Sequence, residues 1–151
     1  MTTQESQCPP SEGAVHLSRL PNLGSAVLQF DLSKEIEELR KEDSWERETG
    51  RSSKTLVKQQ DFRIVVVLMK ANTRLTEHRA EARTSIHALS GRIRVHLEGR
   101  AMEMTAGQLL ALDCGVRHDV ESLEESAFLL TISWPKEYAT WTTDDTAHTV
   151  K

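Results

Sequence analysis

The sequence predicts an all-β domain, a sandwich or barrel of short strands, with one N-terminal α-helix. Three observations carry this. From Lys54 onward, apolar and polar residues alternate with period two, as they do in half-buried strands. Such runs recur roughly every eight to ten residues, separated by turn signals at Ser90-Gly91, Glu98-Gly99, Ala106-Gly107 and Asp113-Cys114-Gly115. Only one segment, residues 32–43, carries a helical repeat.

In chain order, residues 1–24 are rich in Ser, Thr, Pro, Gln and Gly and are expected to form a mobile arm. The domain proper is expected over 25–135, and 136–151 as a C-terminal tail, because periodicity stops after Trp134-Pro135. Residues 26–30, AVLQF, are apolar enough to dock as a short edge strand. In LSKEIEELRKED (32–43), Leu32, Ile36 and Leu39 form a narrow apolar stripe. Asp31 or Ser33 suits the N-cap, and Glu37 and Lys41 form an i,i+4 pair. So thin a stripe must pack onto something larger. Between Asp31 and Gly50 there are eight acids and four bases, which suits a solvated face.

Strands are expected at 55–58, 62–69, 74–76, 83–89, 92–97, 101–104, 108–112, 117–121 and 127–133. Alternation places Ile93, Val95 and Leu97 on one face and Arg94 and His96 on the other. The run 62–69 is almost continuously apolar, which fits a strand covered on both faces. The helix around Ile36 is the expected cover.

At 151 residues, with 38% hydrophobic and 28% charged content, the chain suits one globular domain with polar ends. A net charge of −4 argues against nucleic acid as a partner. The longest apolar run, Ile64 to Met69, is far too short to span a bilayer. The N-terminus has neither the basic nor the apolar region of a secretory leader. Two cysteines, Cys8 and Cys114, make no disulfide framework, so a reduced, cytoplasmic setting is expected. There is no Gly-x-Ser-x-Gly elbow and no phosphate-binding glycine loop.

The candidate site lies in the stretch 76–122, TEHRAEARTSIHALSGRIRVHLEGRAMEMTAGQLLALDCGVRHDVES, which is framed by His78 and His118. This stretch resembles a small single-domain cupin, over roughly residues 60–133. That family is a double-stranded β-helix, a jelly-roll barrel with two motifs bracketing a pocket. In the first motif His78 falls on the first histidine and Gly91 on the closing glycine. Asn72 stands at the opening glycine position. In the second, Gly107, Gly115 and His118 all match, while Asp113 stands in place of Pro and Ser122 in place of Asn.

The family's four metal-ligand positions fall on His78, Ala80, Thr84 and His118. Two are metal ligands of the usual kind, where a catalytic transition metal generally takes three from the protein. The resemblance therefore implies a small-molecule pocket built around His78, Thr84 and His118, without a tight metal. A divalent transition metal would be held weakly at most, through His78 and His118. Two other readings stay open. One is a metal-dependent, oxygenase- or isomerase-like enzyme with a reduced ligand set. The other is a non-catalytic dimeric regulatory domain. The expected partners are a small molecule and a second copy of the chain, since such small sheets expose edges.

Glu77 and Glu81 flank His78 and offer a carboxylate if the loop turns inward. His87 and His96 are expected to point away from the pocket by strand parity. Cys114 is expected to be an ordinary turn thiol. The bases Lys70, Arg74, Arg79, Arg83, Arg92, Arg94 and Arg100 are expected to pair with the acidic segment 31–50.

Overall fold

The computed structural model describes residues 26–47, 49–76 and 81–135. The expected N-terminal arm and C-terminal tail lie outside these residues, as do Cys8, Glu77, His78, Arg79 and Ala80.

Helix α1 spans Leu32–Lys41. Asp31 caps it by accepting a 3.3 Å hydrogen bond from the Lys34 N–H. Arg40 and Lys41 occupy its last turn, where cations oppose the helix dipole. The single helix expected over 32–43 is divided. Glu42 is extended (φ −76°, ψ 147°), and a short helix α2 follows at Asp43–Glu46. The stripe explains the break. Trp45 lies six positions beyond Leu39, about 240° around a straight helix. The bend lets it bury beside Leu39.

Residues 26–30 form no strand, contrary to expectation, and Val27 stays 77% exposed. Phe30 packs against the cluster beneath the helices, which draws the segment to the helix layer.

Nine strands follow: β1 Arg51–Lys58, β2 Phe62–Met69, β3 Arg74–Thr76, β4 Arg83–Ser90, β5 Arg92–Leu97, β6 Arg100–Thr105, β7 Leu109–Leu112, β8 His118–Ser122 and β9 Ser126–Ser133. All pairings are antiparallel. They make a five-stranded sheet, β1-β2-β9-β4-β7, and a four-stranded sheet, β3-β8-β5-β6. The expected all-β jelly-roll barrel is present.

Strand β2 serves two cores, as its nearly continuous apolar run implies. Val67 and Met69 enter the barrel core with Ile86, Ile93, Val95, Val120 and Phe128. Val66 and Leu68, the alternate residues, pack outward with Leu56 and Ala127 under Leu39 and Trp45. The Lys54 Nζ to Glu35 carboxylate pair, at 2.6 Å, ties β1 to α1.

The two ends of the barrel differ. One is sealed by backbone and hydroxyl bonds. Ser122 Oγ, fully buried, donates to the Lys70 carbonyl and accepts from the Thr73 N–H at 3.3 Å. Ser126 Oγ accepts from the Arg92 N–H at 3.0 Å and reaches the Glu124 carbonyl at 2.7 Å. The β4–β5 turn closes on Gly91, whose φ is +74° and whose missing Cβ would lie 2.2 Å from the Glu125 carbonyl oxygen. At the other end lie the start of β2, β4, β6 and β8 and the finish of β3, β5, β7 and β9. This is the mouth. Among the described residues no helix is long and apolar enough to cross a membrane.

Candidate functional site

Inner and outer residues follow from the register. On the five-stranded sheet, Arg63 pairs with Ile132, Ile132 with Thr84, and Thr84 with Leu112. Directly opposed residues share a face. Arg63 shares its face of β2 with Val65, Val67 and Met69, so the row points into the barrel. On the four-stranded sheet, His118 pairs with Leu97, one step of the inner face beyond Val95 and Val120. Thr84 and His118 thus come from opposite sheets to the same end of the barrel.

His118 is buried, 5% exposed. Its Nδ1 lies 3.2 Å from the Val116 carbonyl oxygen. A carbonyl only accepts, so Nδ1 carries the proton. In the neutral ring this leaves the Nε2 lone pair to meet whatever enters the mouth. The chain leaves β3 at Thr76, which pairs with Asp119, beside His118. His78 follows two residues later and lies outside the described residues.

The metal question rests on donors. Among the described residues, no three of His, Cys, Asp and Glu gather where they could hold an ion. Of the four ligand positions, His118 is the one described donor of the usual kind, and Thr84 offers a hydroxyl. The described residues do not by themselves fit a metal centre. Glu81 is exposed, and Cys114 is an exposed free thiol in the rim loop.

His87 and His96 lie on the outer faces, as parity implies. His96 Nε2 sits 2.6 Å from the Glu121 carboxylate. Around it Arg74, Glu121, Arg94 and Glu103 stand in one register row across β3, β8, β5 and β6, with alternating sign. Arg94 holds Glu103 at 2.7 Å, and Arg74 holds Asp119 at 3.1 Å. The Arg94 hydrogen bond keeps the Glu103 carboxyl below its ordinary value, and the His96 hydrogen bond does the same for Glu121. Arg74, Arg94 and Arg83 therefore pair with acids of the barrel itself, Arg83 with Asp113 at 3.0 Å. The expected pairing with the 31–50 segment is corrected for these three. Strand register supplies partners nearer than the helix layer.

Sequence reasoning missed Arg63. It stands in a run otherwise apolar, yet its parity with Val65, Val67 and Met69 places it in the barrel. Its guanidinium carbon lies 5.1 Å from the Trp134 ring centroid. Its Nε is the one buried side-chain nitrogen or oxygen without a hydrogen-bond partner among the described residues. Counting parity back from Val65 would have found it.

Neither a protein-family model nor a curated protein matches the chain by sequence. Solved structures do match by shape. A conserved protein of unknown function from Streptococcus pyogenes is 21% identical, with a TM-score of 0.59, over 81% of this chain and 99% of that one. A cupin superfamily protein from Desulfitobacterium hafniense is 13% identical, with a TM-score of 0.56, over 59% and 82%. An RmlC-like cupin from Shewanella frigidimarina is 17% identical, with a TM-score of 0.54, over 60% and 81%. The chain has the fold of a small cupin domain.

Proposed function

We propose that this cupin-fold domain binds a small organic molecule at the barrel mouth, over His118 and Thr84, with His78 as a further ligand-binding residue. One observation carries the reading. The inner face is apolar through Val67, Ile86, Val95 and Phe128 and turns polar at both ends. At the closed end backbone groups satisfy the Ser122 and Ser126 hydroxyls. At the mouth His118, Thr84 and Arg63 stand together, and the Arg63 Nε has no hydrogen-bond partner among the described residues. Buried polar groups cost free energy unless something pairs them. A bound polar molecule supplies that pairing, and the apolar rows of Leu97, Leu112 and Ile132 accept its hydrocarbon part. Such a mixture of apolar walls and few polar groups is the usual make-up of a ligand site.

The reading needs no tight metal. His118 with His78 and water would hold a divalent ion only loosely. The test uses chelator-treated protein in a thermal-shift panel of small neutral and acidic metabolites. A ligand that binds the folded state alone raises the melting temperature. The reading expects several degrees of stabilisation by at least one compound, lost in His118→Ala. Stoichiometric metal in untreated protein, reduced by His118→Ala and required for that stabilisation, would replace it with the metal-dependent alternative.

A further inference from the structure

We propose that Arg63, stacked on Trp134 and opposed by Lys58, forms a carboxylate-binding subsite at the barrel mouth. This rests on the small-molecule reading and names the ligand class.

Three features of the strand β2 register converge here. Arg63 has an apolar neighbour, Ile132, across β9 and a second cation, Lys58, across β1. Directly opposed like charges destabilise a sheet. Among the described residues no carboxylate forms an ion pair with Arg63. Its Nε is buried with no acceptor. A buried donor left unpaired carries its full desolvation penalty. Two cations face each other, no described acid neutralises Arg63, and one N–H lacks a partner. An anion accepting from the guanidinium answers all three.

The Trp134 ring decides how the anion approaches. The guanidinium carbon lies over it, 5.1 Å from the ring centroid, and the ring offers no acceptor oxygen, so the N–H edge is left for recognition. That edge matches the two oxygens of a carboxylate. The neighbouring inner residue across β9, Ile132, is apolar and accepts a carbon skeleton better than a second charged oxygen. A free phosphate, which demands several donors and stays hydrated, fits less well.

The test titrates the purified full chain with hexanoate, benzoate and succinate, each against its amide, and with inorganic phosphate. The expected result is saturable stabilisation by at least one acid, at least tenfold weaker binding of its amide, and none by phosphate. Arg63→Gln should weaken that acid at least tenfold, and Arg63→Lys should restore part of the loss. Should Arg63→Gln fail to fold, Trp134→Ala carries the test, because it removes the shelf and leaves the guanidinium. Equal binding of acid and amide, or an Arg63→Gln protein that binds as wild type, overturns the subsite but leaves small-molecule binding intact. Phosphate binding as tight as the acid overturns the carboxylate assignment. If none of these probes binds, the subsite is refuted, while the neutral arm of the metabolite panel still decides the broader reading.

Discussion

Replacing Gly91 with alanine tests how the closed end of the barrel is held, and its cost follows from two separate terms. The first is conformational. At φ +74° an L-residue sits in the left-handed region, which costs roughly 1–2 kcal/mol. The second is steric. The new Cβ would lie 2.2 Å from the Glu125 carbonyl oxygen and 2.8 Å from the Ser126 Cα, both backbone atoms. The β8–β9 turn must therefore retreat from the β4–β5 turn. That strains the Ser126 Oγ contacts to the Arg92 N–H and carbonyl, at 3.0 and 3.1 Å, each worth about 1 kcal/mol. Together these give about 3–4 kcal/mol. At roughly 2–4 °C per kcal/mol for a chain of this size, the melting temperature falls by roughly 6–16 °C. Gly99→Ala is the control. Its φ is +76°, but nothing lies within 4 Å of the added Cβ, so it carries the conformational cost alone. Urea unfolding of both variants measures the difference. Equal destabilisation, within about 0.5 kcal/mol, would refute the close-approach argument, since the expected gap rests on bonds of about 1 kcal/mol each.

Other consequences follow from the same structure. Leu39→Ala removes a fully buried side chain from the layer between the helices and the sheet, and should cost about 2–5 kcal/mol in urea unfolding. Ser122→Ala leaves the Lys70 and Thr73 backbone groups without their buried partner, and should cost about 1–3 kcal/mol in the same assay. The Cys114 N–H, and then the Arg83 guanidinium, hold the Asp113 carboxyl below its ordinary value. Its stabilising contribution is therefore present above the unfolded-state value, about 3.9, and is lost as pH falls through the lower folded-state value. The melting-temperature advantage of wild type over Asp113→Asn should hold from pH 7 down to about 5 and close below that window. An advantage unchanged at acid pH would show that the carboxylate charge is not what matters.

The strands were legible because their signal is local. Period-two runs and turn glycines recur along 92–112, and Gly91, Gly99, Gly107 and Gly115 all adopt positive φ. The two-sided burial of β2 was legible too, since only a doubly covered strand carries Val, Val, Val, Leu and Met in succession. The break after Lys41 was not. It depends on where Trp45 finds a cavity, and that is set by Leu56 and Ala127 far along the chain.

The same holds for charge. Arg94 and Glu103 pair because β5 and β6 meet in one register, while composition alone pointed to the acidic helix. Of the candidate site, Thr84 and His118 were pointed to by the resemblance to the cupin motifs, and the strand register brings both to the inner face at the mouth. Arg63 could not be weighed without knowing that Lys58 and Trp134 stand beside it.

The most direct test of ligand binding at the mouth is a residue-resolved NMR titration of the full chain with the most stabilising compound. The account predicts that amide shifts cluster at Arg63, Thr84, Leu97, Leu112 and His118, while Gly91, Ser122 and Ser126 at the closed end stay still. Shifts centred on the outer charged face around Arg94, Glu121 and Glu103, or confined to the helix layer around Leu39, would contradict it.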